Sequence, residues 1–210
     1  MGKIINFDVS NNLGGTLPES AFENMKLLQS LFLGFNFFSG LAPTVTGRFF
    51  QILDIISDNA FVGNLPDEYF LLSRLELLSA SVNCFPPQLP LSLCNSSNSL
   101  SELYLNGLQH SSLYKSKSES SLTSLPSCIW SLTSLSKLYI SGNEYTGKFS
   151  NFNLVHIVEQ DISSNRRYGT LPAVLKNCSM QYFDVSSNHF GGTLWDISIH
   201  SHKILHTMQT

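Results

Sequence analysis

The sequence predicts a curved α/β solenoid of about eight repeats, with short parallel strands along its concave face. Three observations support this prediction. The text Phe-Asp-Val-Ser-Ser-Asn at 183–188 returns almost unchanged at 7–12 and, shortened, at 161–165. Apolar residues precede each of these asparagines at fixed distances, and the copies are spaced by two dozen residues or so. Self-similarity at a period of about 20–29 residues is typical of stacked supersecondary units.

The last asparagine of each copy is the anchor of the repeat. Successive anchors lie 22–25 residues apart, except for one interval of 35 that contains a Ser-rich insertion at about 109–121. The anchors are Asn12, Asn36, Asn59, Asn83, Asn143, Asn165 and Asn188, with Leu108 in the place of an eighth. Because a buried side-chain amide both donates and accepts, we expect these asparagines to satisfy backbone groups at the turns and to form a ladder.

Two apolar positions, five and three residues before each anchor, define the inward face of each strand. They are two residues apart, as in Leu31 and Leu33, so both point the same way, and stacked copies bury them continuously. Near Asn59, Leu53 fits this pattern only if one extra residue follows the strand. We expect that extra residue, because strict register would bury Asp54 at a cost of several kcal/mol.

The copy that ends at Asn165 carries two polar residues where other copies are apolar. Gln160 stands in an inward position, and Arg167 stands where phenylalanine is usual. Burying such groups without partners costs about 1–3 kcal/mol each, so this copy is predicted to be a soft part of the stack.

The text from Asn59 to Pro66, Asn-Ala-Phe-Val-Gly-Asn-Leu-Pro, resembles the plant-type leucine-rich repeat. The resemblance covers residues 4 to about 198. It implies a right-handed coil with an irregular, 3-10 or polyproline-like convex side. We therefore expect a repeat domain at 1–198 and a tail at 199–210 that continues no repeat and either frays or adds a partial turn.

The same resemblance implies a binding module without catalytic activity or cofactor. Similar proteins are the ectodomains of plant receptor-like kinases and receptor-like proteins, which perceive signals at the extracellular face of the plasma membrane or in the cell wall. This chain would be an uncapped fragment of one, with a protein or peptide ligand and possibly a co-receptor as partners. Two alternatives stay open: a secreted inhibitor resembling polygalacturonase-inhibiting proteins, and a truncated product with no function of its own.

Composition narrows the partners further. The net charge is −3 with 13% charged residues, which argues against nucleic acid or an anionic membrane. The chain shows no signal peptide and no apolar run of about 18 residues, so no transmembrane segment is predicted.

Cysteine and histidine spacing does not indicate a metal site. The cysteines are Cys84, Cys94, Cys128 and Cys178, without the close pairs that zinc sites use. We interpret them as buried thiols, with a Cys84–Cys94 bridge as the alternative. The tail histidines His200, His202 and His206 have no carboxylate or cysteine near them in sequence, so no metal site is predicted there either.

The residue four positions before each anchor points outward on the concave face. This outward row reads Asp8, Phe32, Ile55, Ser79, Tyr104, Tyr139, Asp161 and Asp184. Exposed aromatics beside small polar residues suit partner recognition. The candidate binding patch is therefore Phe32, Tyr104 and Tyr139, with Asp161 and Asp184 at one end. In the alternative interpretation, the aromatics only stack on their cross-strand neighbours and the aspartates keep the face soluble.

Two further kinds of site follow from the sequence. Asn95 and Asn177 each begin an Asn-x-Ser triplet, which is a glycosylation acceptor if the chain is secreted. The Ser-rich insertion is interpreted as a flexible outer loop, with a specificity loop or phosphorylation site as the alternative.

Overall fold

Nine short parallel strands form one continuous sheet. A computed structural model describes residues 4–11, 13–45, 50–54, 57–95, 99–108, 124–148, 156–171, 175, 179–192 and 205–206. Eight strands come one from each copy, and the ninth comes from the C-terminal tail. In order they are β1 (Asn6–Asp8), β3 (Ser30–Phe32), β5 (Ile52–Asp54), β7 (Leu77–Ser79), β8 (Glu102–Tyr104), β9 (Lys137–Tyr139), β11 (Glu159–Asp161), β13 (Tyr182–Asp184) and β15 (Leu205–His206).

The central residue of each three-residue strand points into the coil. These residues pair with one another across neighbouring strands, so they form one inward row. Five of them are fully buried leucines: Leu31, Leu53, Leu78, Leu103 and Leu138. The second inward position, two residues later, is also fully buried at Leu33, Leu105 and Ile140. A strand of three residues cannot bury an apolar face alone, so the stack is the source of its stability.

The extra residue expected near Asn59 is confirmed. Leu53 lies in register with Leu31 and Leu78 and is 0% exposed. The same register pairs Asp54 with Phe32, so Asp54 takes the outward position that the sequence analysis gave to Ile55. That assignment of Ile55 was wrong, because the extra residue follows the strand and shifts the outward position by one. Ile55 itself lies outside the described residues.

Two small parallel sheets and three 3-10 helices lie away from the main sheet in the described part of the chain. One small sheet joins β2 (Gly14–Thr16), β4 (Phe37–Leu41) and β6 (Ala60–Val62), and the other joins β10 (Thr146–Lys148), β12 (Arg166–Gly169) and β14 (His189–Phe190). The 3-10 helices are Asp67–Leu71, Leu91–Asn95 and Ser127–Ser131. They present Tyr69, Phe70, Ile129 and Trp130 to the core. No described helix is long and apolar enough to cross a bilayer.

The anchor amides lie inside the coil and join adjacent repeats. Asn165 is typical: its Nδ2 donates to the carbonyls of Ile140, Ile162 and Ser163, each at 3.0 Å. Its Oδ1 accepts the Tyr145 amide at 2.9 Å. Comparable bonds form at Asn36, Asn59, Asn83, Asn143 and Asn188. Of these, Asn188 is only half-buried, and Asn12 lies outside the described residues.

Leu108 shows how the stack tolerates an anchor without an amide. At other anchors, the side-chain oxygen accepts a backbone N–H of the preceding copy, as Asn83 does from Phe61 at 3.1 Å. Here the backbone carbonyl of Leu108 accepts the Phe85 N–H at 2.8 Å, while the leucine side chain is 0% exposed. The Phe85 N–H, which has no anchor amide to bond to, therefore still has a hydrogen-bond partner.

The residue before each anchor adopts a left-handed conformation. Positive φ angles occur at Asn11, Phe35, Asp58, Val82, Gly107, Gly142, Ser164 and Ser187. Asparagine, aspartate and glycine accept this conformation readily, whereas bulky and β-branched residues do so only under strain. Phe35 (φ 53°) and Val82 (φ 53°) are thus held in place by the turn that precedes the buried anchor.

The expectation of unpaired thiols was wrong for two of the four cysteines. Cys94 and Cys128 form a disulfide with a Cα–Cα distance of 5.3 Å. The alternative Cys84–Cys94 bridge was wrong as well. Sequence spacing concealed the true pair because the insertion separates two residues that lie on neighbouring 3-10 helices, Leu91–Asn95 and Ser127–Ser131. Cys84 stays outside the bridge, and Cys178 lies outside the described residues.

The two polar residues of the Asn165 copy differ in how well they are accommodated. Arg167 is 3% exposed, and its Nη2 donates to the Lys148 carbonyl at 2.9 Å. Its guanidinium also lies 5.8 Å from the Trp130 ring centroid, and burial lowers the Arg167 pKa to about 10. Gln160 is 0% exposed, and neither its Oε1 nor its Nε2 has a hydrogen-bond partner. The unfavourable residue of this copy is therefore Gln160.

Replacing Gln160 with leucine is expected to stabilise the protein. Gln160 sits between Leu138 and Phe183 in the inward row, so leucine restores an apolar neighbour and removes two unsatisfied buried atoms. We expect the free energy of unfolding to rise by about 2 kcal/mol. Urea denaturation measures it. The matched control is Leu103→Gln, which makes the reverse change and should destabilise; a destabilised Gln160→Leu protein would mean that position 160 does not face the core.

The tail adds one strand to the sheet. In β15, Leu205 pairs with Phe183 and His206 pairs with Asp184. The rest of the tail, and the insertion at 109–121, lie outside the described residues.

Candidate functional site

Four adjacent strands near the C-terminal half of the sheet bring together most of the predicted binding residues. These residues follow one another in a single outward row. Tyr104 of β8 pairs with Tyr139 of β9, Tyr139 pairs with Asp161 of β11, and Asp161 pairs with Asp184 of β13. They share a face because each follows its strand's inward residue by one position. Phe32 belongs to the same row but lies on β3, with β5 and β7 between it and Tyr104.

Three tyrosines stack along this part of the concave face. The Tyr104 and Tyr139 ring centroids are 5.0 Å apart with an interplanar angle of 26°. The Tyr139 and Tyr182 centroids are 5.9 Å apart with an angle of 12°. All three side chains are half-buried, so the stack still presents surface to solvent. We call Tyr104, Tyr139 and Tyr182 the tyrosine stack.

Two glutamates and one lysine hold the first two rings in position. The Tyr104 hydroxyl donates to Glu102 Oε2, and the Tyr139 hydroxyl donates to Glu159 Oε2, each at 2.7 Å. Lys137 lies between the two carboxylates, with its Nζ 3.4 Å from Glu102 Oε1 and 3.9 Å from Glu159 Oε1. Each glutamate thus uses one oxygen for a tyrosine and one for the lysine. The network therefore holds the first two rings of the stack in a fixed orientation.

Burial and carboxylate neighbours raise the pKa values of the stacked tyrosines. For Tyr104 and Tyr139, desolvation is the larger cause, followed by the hydrogen bond to Glu102 or Glu159. For Tyr182, desolvation again comes first, followed by the charges of Asp161 and Asp184. The hydroxyls are therefore neutral donors at physiological pH, and the negative charge of the site belongs to its carboxylates.

Alkaline titration should show this effect. The pKa values of Tyr104 and Tyr139 in the folded protein lie above the unfolded value of about 10. The contribution of these two hydroxyls to the free energy of unfolding is therefore fully present below about pH 10 and is lost as the pH rises through their folded pKa values. We expect the phenolate absorbance of the folded protein to lag behind that of the urea-unfolded protein above about pH 10. The Tyr104→Phe, Tyr139→Phe protein should lose less stability across the same pH range. An unchanged loss would contradict the assigned cause.

Two aspartates end their strands in identical turns. Asp161 Oδ1 accepts the Ser163 amide at 2.9 Å, and Asp184 Oδ1 accepts the Ser186 amide at 2.8 Å. Asp8, at the far end of the sheet, makes the same bond with Ser10 at 2.9 Å, and this backbone bond is the main reason why its pKa is lowered. One oxygen of each aspartate thus has a structural role, which neither interpretation of the row had predicted.

Four members of the site were missed in the sequence analysis. Glu102, Lys137, Glu159 and Tyr182 lie two residues before the outward row and share its face. Strand alternation was the signal that would have found them, since residues two apart point the same way. What alternation does not show is that Tyr182 leans across β11 to reach Tyr139.

The remaining predictions concern glycosylation and metal binding. The Asn95 backbone ends the 3-10 helix Leu91–Asn95, but its side chain and Asn177 lie outside the described residues, so glycosylation stays a prediction. Across the described ranges, no three His, Cys, Asp or Glu side chains come together in a way that would hold a metal ion.

The proteins similar to this chain include plant receptors. No protein-family model matches the sequence. Over 99 residues, 46% of this chain, the sequence is 34% identical to Receptor like protein 23 of Arabidopsis thaliana. The structure is similar to the LRR ectodomain of the Arabidopsis receptor kinase HAESA in complex with an extended IDA peptide hormone, with a TM-score of 0.73 over 93% of this chain and 22% identity. The chain has the leucine-rich-repeat fold.

The same fold is also found in a protein with a different function. A plant ice-binding protein is similar over 90% of this chain and 66% of its own, with a TM-score of 0.65 and 21% identity. The leucine-rich-repeat coil is therefore a scaffold, and function has to be argued from the site. The chain spans 11% of Receptor like protein 23 and 37% of the HAESA ectodomain chain, so it is similar to only a part of each.

Proposed function

We propose that this leucine-rich-repeat chain is a ligand-binding module of an extracellular plant receptor-like protein and that it binds a peptide on its concave face. The observation that carries the proposal is the tyrosine stack, which is ordered by Glu102, Lys137 and Glu159 yet remains half-exposed. Rigid aromatic side chains in a polar surround are the usual anchors of binding sites.

Two further observations support this location and role. The Cys94–Cys128 disulfide fits an oxidising compartment, since such bonds persist mainly outside the cytosol. The site presents three stacked tyrosines, and rigid aromatic rings of this kind suit the recognition of a partner. The relatives in the comparison include a receptor bound to a peptide hormone, and an extended peptide also fits a face built of parallel strands.

Selection of displayed random peptides on the immobilised full chain tests the proposal. Selected peptides should bind the wild-type chain and lose about tenfold or more in affinity on Tyr104→Ala, Tyr139→Ala, because that change removes two central anchors. The control is Tyr168→Ala, which removes a more exposed tyrosine from β12 in another sheet. Equal losses in both variants, or no loss in the first, would contradict concave-face binding.

A further inference from the structure

Three of the most exposed large apolar side chains in the described part of the chain belong to one strand and the turn before it. Phe35, Phe37 and Leu41 are 57%, 64% and 60% exposed. Leu13 of the first copy lies beside them, because its carbonyl accepts the Phe37 amide at 2.6 Å, and it is exposed as well. We call Leu13, Phe35, Phe37 and Leu41 the flank patch. Exposed apolar residues are ordinary when they occur singly, whereas a contiguous group of them usually marks an interaction surface.

Strand alternation directs Phe37 and Leu41 outward from the small sheet of β2, β4 and β6. Phe38, next to Phe37 on β4, points the other way and is buried in the core. The neighbour of Phe37 on β2 is Gly14, which has no side chain to cover the ring. Leu41 leans across the end of β6, where a Cβ added to Gly63 would lie 2.6 Å from its Cδ2. Both side chains therefore rest on the sheet while their outer surfaces remain uncovered.

Phe35 is unfavourable at its position in two ways. Its φ of 53° is a left-handed conformation that bulky residues adopt only under strain, and more than half of the residue is exposed to water. The corresponding residues of the neighbouring copies are Asn11 and Asp58, which accept this conformation readily. Because the core gains little from the Phe35 ring, strain at this position points to a use of the ring outside the core.

The flank patch has the size of an interface core. An aromatic side chain has about 150–250 Å² of surface, so the exposed fractions of Phe35 and Phe37 correspond to roughly 180–300 Å². Leu13 and Leu41 bring the patch into the range of about 300–600 Å² that the largest apolar patch of a monomer covers. A specific interface buries about 800 Å² on each partner, and its apolar core is surrounded by a polar rim.

The surface around the patch is neutral, so it can face an identical surface without repulsion. Beside the patch, the outward positions of the three strands hold uncharged residues, namely Gly14, Thr16, Ser39, Ala60 and Val62. Asp58, which holds the place of Phe35 in the next copy, lies at the border of this surface. A two-fold axis brings the same patch of both copies together, which an apolar surface tolerates and the acidic concave face does not.

We infer that the flank patch joins two copies of this chain in a symmetric dimer. β4 has large side chains at its two ends, Phe37 and Leu41, and the small residues Ser39 and Gly40 between them. When two β4 strands face each other in opposite directions, Phe37 of one copy meets Leu41 of the other, and the axis passes through the small residues. The inference does not depend on the proposed function, because the tyrosine stack belongs to a different sheet.

Sedimentation velocity of the full chain tests the inference. We expect the wild-type chain to pass from monomer to dimer between about 1 and 300 μM, with a Kd on the order of 10 μM. Association should stop at the dimer, because a two-fold interface is closed. The Phe37→Ser, Leu41→Ser protein should have a Kd at least about tenfold higher, since it loses both ends of the contact.

Two further variants separate the interface from the fold and from general stickiness. Phe35→Asn places at this position the residue that the first copy has there, so it should melt at or above the wild-type temperature and still dimerise at least about fivefold more weakly. Leu91→Ser is the matched control, because Leu91 is 75% exposed but lies in the 3-10 helix Leu91–Asn95 instead of the small sheet. It should dimerise as the wild type does.

Every other outcome overturns the inference. A wild-type chain that stays monomeric over the whole concentration range has no such interface. Growth beyond the dimer, or an equal loss of association in Leu91→Ser, would indicate non-specific sticking of apolar side chains. Dimers that survive both Phe35→Asn and the double serine variant would place the contact on another surface.

Discussion

The Asn165→Ala protein is expected to lose about 3–5 kcal/mol of unfolding free energy. The side chain is 4% exposed and makes five hydrogen bonds, three as donor to backbone carbonyls and two as acceptor from the Asn143 and Tyr145 amides. Alanine leaves several of these backbone groups buried without a partner. Urea denaturation followed by circular dichroism measures the loss.

Asn106→Ala is the matched control for this prediction. Asn106 also joins two copies, but its side chain is half-buried and its Oδ1 accepts a single bond, from the Ser141 amide at 2.8 Å. Removing this hydrogen bond should lower the free energy of unfolding by only about 1 kcal/mol. If the Asn165→Ala protein does not fold, Asn188→Ala can replace it, because Asn188 is a half-buried anchor of the same ladder. Its free energy of unfolding should fall by an amount between those of the other two variants. Similar costs at positions 106 and 165 would contradict a structural ladder.

Reducing the Cys94–Cys128 bridge is expected to have an effect of similar size. The two cysteines are 34 residues apart in sequence, and in the chain-entropy model a closed loop of that length stabilises the native state by up to about 4 kcal/mol. Cys94 is exposed and Cys128 half-buried, so removing the sulfurs should leave little cavity. The bridge encloses the Ser-rich insertion, and its loss lets the unfolded chain open around that segment.

Denaturation with and without dithiothreitol tests the bridge. The wild-type midpoint should fall on reduction, whereas the Cys94→Ser, Cys128→Ser protein should already have the lower midpoint and should not respond further. Cys84→Ser serves as the control, since Cys84 lies outside the bridge, and it should keep the wild-type response. A double variant as stable as the oxidised wild type would mean that the bridge contributes nothing.

The fold was predictable from the sequence because its determinants are local and repeated. Spacing alone identified the inward leucines, and the cost of burying Asp54 correctly selected the extra residue after Leu53. What repetition does not encode was missed. Cys94 and Cys128 lie on two 3-10 helices that the insertion separates in sequence, and the pairing of Asp54 with Phe32 follows from the position of the extra residue.

The candidate site was only half visible in the sequence. Tyr104, Tyr139, Asp161 and Asp184 were found from one outward row and do lie on neighbouring strands. Phe32 was grouped with them as an aromatic residue of the same row, but strand order places β5 and β7 between it and Tyr104. The contacts of Tyr182 and of the network of Glu102, Lys137 and Glu159 depend on how side chains of neighbouring strands are oriented. The sequence pattern of one strand position does not give those orientations.

Hydrogen exchange of the anchor side-chain amides tests the coil register most directly, and the placement of every site residue depends on that register. The Asn59, Asn83 and Asn143 side chains are 0–1% exposed and bonded to backbone groups inside the stack. Their NH₂ protons should exchange far more slowly than those of the half-buried Asn106. Exchange of all three anchor amides at the rate of a solvent-exposed amide would place the anchors in water and contradict the coil.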